Sequence, residues 1–217
     1  MTIKLYDNSH ANAPIRVRIV LLLKEIPFER VQVEFDSERS RKEPTSYQTL
    51  NPQAMVPTLA DEDFVLWQSM AIAEYLDERF PIPPLLPADP RGKARVKSLA
   101  MMIACDAQPL VNFRVREFLR REYAFPDAEV LRWVRHWLSE SLVDYERAIA
   151  SSSATRRFSH GDSPTLADVY LFPHVLHAKR FAVPLDAYPT VMRIFEACEA
   201  IPAFCNARPN EATMSPE

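Results

Sequence analysis

Three short stretches of the chain carry residues suited to holding a small, charged peptide. Val56 precedes Pro57, and an X-Pro link takes the cis form at modest cost. A cis bond there leaves the Val56 N–H and C=O free to pair with an extended peptide. Gln68 and Ser69 stand just ahead of an amphipathic run, where side chains and open helix N–H groups can converge on a carboxylate. The third stretch, Ser9-His10-Ala11-Asn12-Ala13-Pro14, leads into another helical run. Asn12 offers an amide donor at a helix end whose dipole and unpaired N–H groups favour an anion. Each feature also has a plain structural reading: Pro57 shapes a turn, Ser69 caps its helix, and Asn12 caps the first one.

The order of elements must bring these positions together. Residues 3–6 alternate as a strand does, and Pro14, at a natural first helical position, opens a helix over 15–25. Residues 27–35 read as a second strand, and 56–60 and 64–67 as two short strands around Asp61-Glu62-Asp63. A helix follows over 70–80 with Ile72, Tyr75 and Leu76 on one face. Strand, helix, strand, hairpin, helix predicts an α/β domain over residues 1–80. The proline-rich residues 81–91 read as a linker. Beyond it the period is helical over 92–123, 127–150, 165–181 and 189–200, which predicts an all-α domain over 92–217 ending in a loose tail.

Composition removes several classes of function. A net charge of -3 gives no broad attraction to nucleic acid or anionic membrane. Only 2 glycines stand against 19 prolines, so there is no glycine-rich phosphate loop. The three cysteines, Cys105, Cys198 and Cys205, form no Cys-x-x-Cys motif, which excludes a dithiol redox site and fits a reducing, cytoplasmic setting. No apolar run reaches membrane-spanning length, and the first residues lack the pattern of a signal peptide. His174 and His177 share a helical face without a third well-spaced ligand, so no metal is expected. Trp67, Trp133 and Trp137 read as packing residues, Cys105 as a buried small hydrophobe, and Thr165-x-x-Asp168 as a capping box after a permissive turn at Gly161.

The run Asn51-Pro52-x-x-x-Val56-Pro57-x-Leu59, followed by Gln68-Ser69, resembles the glutathione transferases. Gly161-Asp162-Ser163-Pro164-Thr165-Leu166-Ala167-Asp168 resembles that family's cap before its core helix. Arg16-Val17-Arg18-Ile19, Leu86-Pro87-Ala88-Asp89 and Gln108-Pro109-Leu110-x-Asn112 are similar to the zeta class, which includes maleylacetoacetate and maleylpyruvate isomerases. The likeness spans about residues 3–205. It implies the glutathione transferase fold, an α/β thioredoxin-like domain joined to an all-α domain. It implies glutathione as the cofactor, bound by Met55, Val56, Pro57, Gln68 and Ser69. It further implies a homodimer that acts on a small electrophile, dicarboxylic in the isomerase branch.

At the catalytic position the chain departs from the resemblance. The zeta pattern reads Ser-Ser-Cys-Ser-Trp-Arg-Val-Arg-Ile, whereas this chain has Ala11 at the first serine and Ala13 at the cysteine. A methyl group donates no hydrogen bond. The remaining candidates for the thiolate are Asn12, at the second serine's position, with Ser9 and His10 nearby. The isomerase branch implies Arg114 and Arg180 for substrate carboxylates, with His10 where a third arginine stands. Arginine's planar fork suits paired oxygens. Two functional readings follow: a glutathione-dependent enzyme, isomerase or transferase, and a non-catalytic glutathione-binding protein of the same fold.

Overall fold

The computed structural model describes residues 3–9, 11–33 and 46–209. The chain forms two compact units, one reaching Pro83 and taking in residues from Ala203, the other running from Pro84 to Pro202.

The first unit is built on a four-stranded sheet. Strands β1 (Ile3–Asp7), β2 (Phe28–Gln32), β3 (Thr58–Asp61) and β4 (Phe64–Trp67) lie in the order β2-β1-β3-β4. β1 runs parallel to β2 and antiparallel to β3, which is antiparallel to β4. Helix α1 (Asn12–Leu23) supplies the crossover between the parallel pair, and α2 (Ser69–Arg79) follows β4. α1 is buried on most of its surface, so its apolar residues form no narrow stripe, and Arg16 and Arg18 are enclosed with Ile15, Val17 and Ile19.

The elements differ from the sequence expectation at their ends. α1 begins at Asn12, so Pro14 is its third residue rather than its first. A proline fits there because first-turn N–H groups have no acceptor inside the helix. β2 ends at Gln32, and residues 34 and 35 of the expected strand lie outside the described residues. Tyr75 is half-buried and turns its hydroxyl to Asp61 (2.8 Å), apart from the buried face of Ile72 and Leu76. Trp67 is 37% exposed, where packing was expected.

The second unit is helical: α3 (Pro90–Met101), α4 (Phe113–Tyr123), α5 (Asp127–Ala150), α6 (Leu166–Arg180) and α7 (Pro189–Glu199). A short α8 (Pro202–Asn206) follows, all but its first residue belonging to the first unit. The single helix expected over 92–123 is broken by a π-helical turn, Met102–Ala107. Pro109 cannot continue the ladder, and Asn112 opens α4 by accepting from the Arg114 N–H (2.9 Å). Cys105 sits on this turn and is exposed; Cys198 is the buried thiol.

The start of α6 is a buried polar knot. Asp168 accepts from the Thr165 N–H (2.8 Å), the Thr165 hydroxyl (2.9 Å) and the Ser159 N–H (2.8 Å). Burial pushes the Asp168 carboxyl up, and the bonds from Ser159 and Thr165 oppose that. Gly161, at φ +75°, makes the turn before it, as its place in the sequence suggested. Asp168→Asn removes one acceptor from this knot and should cost about 1–2 kcal/mol in denaturant unfolding. An unchanged unfolding midpoint would show that the knot contributes nothing net.

Candidate functional site

Sheet topology alone gathers three separate stretches at one place. Tyr6, Thr58 and Trp67 form one row across β1, β3 and β4. β1 ends one residue past this row, β4 ends at it, and the antiparallel β3 begins at it. The start of α1, the Val56-Pro57 bond and the start of α2 therefore all emerge at the same end of the sheet.

The Val56–Pro57 bond is cis, as Val56-Pro57 led one to expect. Among the described residues, nothing bonds to the backbone N–H or C=O of Val56. The loop before it is held by groups that sequence reasoning did not single out. Tyr47 donates its hydroxyl to the Met55 carbonyl (2.7 Å) and meets the Thr58 hydroxyl at 2.7 Å. The Asn51 amide donates to the same carbonyl (2.7 Å) and to Thr58 (3.1 Å). Burial pushes the Tyr47 hydroxyl up, against the bonds to Thr58 and Asn51. The Asn51-Pro52 pair in the motif was the available signal; nothing in the sequence pointed to Tyr47.

The loop between β1 and α1 is tied by charge. Asp7 is fully buried and pairs with Arg18 (2.9 Å) and Arg30 (2.8 Å). Burial lowers the Arg18 guanidinium's pKa, opposed by Asp7. Arg18 also donates to the Ser9 carbonyl (3.3 Å), and Arg30 to the Ser9 hydroxyl (3.4 Å). Arg30 lies on β2, on the opposite side of β1 from β3. The Ser9 hydroxyl thus accepts from the β2 side of β1, away from the Val56 flank, and keeps its own proton to donate. His10 lies outside the described residues.

At neither helix start at this end does the N-cap residue's own side chain make a capping bond. The N-cap of α1 is Ala11, not Asn12, and it makes no side-chain bond. Asn12 is the first helical residue and is buried, so the plain reading of Asn12 as the cap does not describe it. The first-turn N–H groups of Asn12 and Ala13 precede Pro14, which has none. The N-cap of α2 is Gln68, also without a side-chain cap bond, and Ser69 is the first residue of that helix. In the helical unit, by contrast, Asp89, Asn112 and Thr165 cap α3, α4 and α6. Two helix starts able to stabilise anions therefore flank one cis-proline edge.

Around Ser69 the site carries positive charge. Arg16 reaches the Ser69 hydroxyl (3.4 Å), both groups being buried. A hydroxyl that accepts from a guanidinium still has its own proton to donate to a carboxylate. Gln68 holds φ +74°, a conformation uncommon outside glycine, and donates its amide to Gln53 (2.8 Å). Gln53 is thus a second amide beside Gln68, missed in the sequence. For that reason Gln68→Ala should weaken glutathione binding by only about tenfold in calorimetry, with a larger loss when Gln53→Ala is added. Equal affinity in the double variant and the parent would remove both amides from the site.

The sequence-derived arginines lie in the helical unit. Arg114 is exposed in the first turn of α4, and Arg180 is the last residue of α6, with its guanidinium 6.0 Å from the Phe181 ring centre. A cavity of about 410 Å³ also opens in this unit, lined by Met102, Asp106, Leu110, Trp137, Glu140 and Asp144 among others. Its carboxylates repel an anionic ligand. His174 meets Ser141 at 2.7 Å, and among the described residues no group of side chains could hold a metal ion. Among the described residues, no helix is long and apolar enough to cross a membrane.

Comparison with known proteins bears directly on this geometry. Residues 1–78 match the family described as "Glutathione S-transferase, N-terminal domain". The chain is 40% identical to a maleylpyruvate isomerase of a Ralstonia species over 95% of this chain and 96% of that one. A holo structure of maleyl pyruvate isomerase, a bacterial zeta-class glutathione-S-transferase, superimposes with a TM-score of 0.90 at 40% identity, covering 95% and 96% of the two chains. A maleylacetoacetate isomerase from Methylobacterium extorquens AM1, with bound malonate and GSH, gives 0.92 at 37% identity over 98% and 100%.

Proposed function

The chain belongs to the glutathione S-transferase family, in the zeta-class branch of maleylpyruvate and maleylacetoacetate isomerases, and from that membership we propose a glutathione-dependent cis–trans isomerase of a maleyl-type dicarboxylate. The observation that carries this reading is the pairing of a cis-proline edge with two helix starts whose N-cap side chains make no capping bond. In this reading Val56 pairs with the cysteinyl backbone of glutathione, with Met55 and Pro57 shaping that edge. Gln68 and Ser69, backed by Arg16, hold its γ-glutamyl carboxylate. The start of α1 holds the thiolate, with the Asn12 amide as the side-chain donor. Arg114 and Arg180 receive substrate carboxylates.

The thiolate adds to one carbon of the cis double bond, and the electron pair moves onto the conjugated carbonyl as an enolate. The former double bond is now single and rotates. Collapse of the enolate expels the thiolate and leaves the trans alkene, so glutathione is returned.

The direct test supplies maleylpyruvate or maleylacetoacetate with substoichiometric glutathione. Many turnovers per glutathione are expected. Consumption of one glutathione per product would make the chain a conjugating transferase. Glutathione binding without turnover would favour the non-catalytic reading, which Ala11, as a helix cap without a hydroxyl, supports.

Two features of setting belong to the same reading. A cytoplasmic location is supported by the free thiols Cys105 and Cys198. A homodimer is supported in the first unit by Phe64, 46% exposed and packed on Tyr75, and in the second by Met101, 43% exposed. A monomer mass by light scattering at micromolar concentration would overturn the dimer.

A further inference from the structure

The Met55 carbonyl is fully occupied. A carbonyl oxygen has two lone pairs, and this one accepts from both the Tyr47 hydroxyl and the Asn51 amide, each at 2.7 Å. Tyr47 gives its single proton to that carbonyl, so Thr58 is the donor where the two hydroxyls meet at 2.7 Å. The Asn51 amide closes the ring by donating to the Thr58 oxygen (3.1 Å). Asn51 is itself set by its own loop: its side-chain oxygen accepts from the Gln53 N–H (3.0 Å) and its carbonyl from the Ala54 N–H (2.9 Å). Ala54 holds φ +52°, a left-handed conformation that alanine adopts only at a cost. A closed ring of hydrogen bonds thus spans the Val56–Pro57 bond, from Met55 on one side to Thr58 on the other.

This ring has a directional consequence. The Met55–Val56 peptide is trans, so its C=O and N–H lie in one plane and point in opposite directions. A carbonyl pinned towards Tyr47 and Asn51 turns the Val56 N–H the other way, and no described residue bonds that N–H. Rotating this peptide plane would break both bonds at once, so the donor is oriented before any peptide arrives. We propose that Tyr47 is a positioning residue for glutathione: through the Met55 carbonyl, and with Asn51 and Thr58, it fixes the direction in which the Val56 N–H meets the cysteinyl backbone.

This inference rests on the reading of Val56 as the glutathione edge, and its test keeps the two apart. Glutathione is titrated calorimetrically into the parent protein, Tyr47→Phe, Thr58→Val and Thr58→Ser, with maleylpyruvate turnover measured over a range of glutathione concentrations. Phenylalanine keeps the ring against Tyr6, 5.6 Å between centres, and removes only the hydroxyl. Serine keeps the hydroxyl of position 58 and valine removes it. Tyr47→Phe should weaken glutathione by about 3- to 10-fold, the loss of one hydrogen bond. KM for glutathione should rise to the same extent. At saturating glutathione, kcat and the ultraviolet midpoint of the bound thiolate should stay at the parent's values, because Tyr47 orients the backbone and not the sulfur. Thr58→Val should weaken glutathione as well, and Thr58→Ser should keep the parent's affinity. The inference is overturned if Tyr47→Phe binds glutathione as the parent does, whatever its melting point, since the hydroxyl would then only stabilise its loop. It is equally overturned if kcat falls and the thiolate midpoint moves with the affinity, which would place the hydroxyl at the sulfur. If Tyr47→Phe does not fold, the Thr58 pair decides, and valine equal to serine overturns the inference. A parent protein that binds no glutathione would overturn the glutathione reading and this inference together.

Discussion

Asp7→Ala is expected to destabilise the protein by about 3–5 kcal/mol, the cost of leaving a buried charge without its partner. Arg18 is the charge in question: only 1% exposed, it pairs with Asp7 at 2.9 Å. Water cannot reach the abandoned guanidinium, so solvation does not offset the loss. For a chain of this size the melting midpoint should fall by roughly 10 °C. Arg30→Met supplies the contrast, since its side chain is 44% exposed and solvent replaces most of what Asp7 gives it. That change should cost about 1 kcal/mol or less. The Asp7 defect should also reach function, because Arg18 and Arg30 together hold Ser9. Equal melting points for Asp7→Ala and Arg30→Met would contradict the view that burial sets the strength of this pair.

The second large effect is a gain. Ala11→Ser should speed glutathione-dependent turnover by about one to two powers of ten, because one hydrogen bond to a charged group is worth roughly 1.5–3 kcal/mol. Position 11 is the N-cap of α1, where a serine oxygen ordinarily accepts from the second or third helical N–H. The third residue is Pro14, which has no N–H, so only Ala13 can use that oxygen. The hydroxyl proton stays available to a thiolate in either case. A modest stability gain, on the order of 1 kcal/mol, should accompany the rate. Asn12→Ala should move the rate the other way if its amide faces the sulfur. Stability gained by Ala11→Ser with no change in rate would mean that the thiolate does not sit at this helix start.

Where side-chain period and a fixed motif coincide, the sequence was legible. Ile3 and Leu5 alternate with Lys4 as a half-buried strand must, and Val56-Pro57 and Gln68-Ser69 fall at one end of the sheet because antiparallel pairing leaves them no other place. What the sequence hid depends on tertiary partners. Arg16 and Arg18 stood out in the sequence only as part of a zeta-like run, and their burial, made tolerable by Ser69 and Asp7, distant in sequence, was not visible there. The cap at Ala11 was hidden because asparagine is the favoured cap residue and alanine a poor one. The break after Met101 was hidden because residues 92–123 keep helical period on both sides of the π-helical turn.

The account rests most on a thiolate stabilised by the start of α1 without any side-chain hydroxyl at Ala11 or Ala13. Its most direct test is the ultraviolet titration of the thiolate of glutathione bound to the unmodified protein. A free thiol titrates near 8.5, and a helix start of this kind should lower the bound midpoint by about one pH unit, with a further fall in Ala11→Ser. A bound midpoint at or above the free value, unmoved by Ala11→Ser, would contradict it.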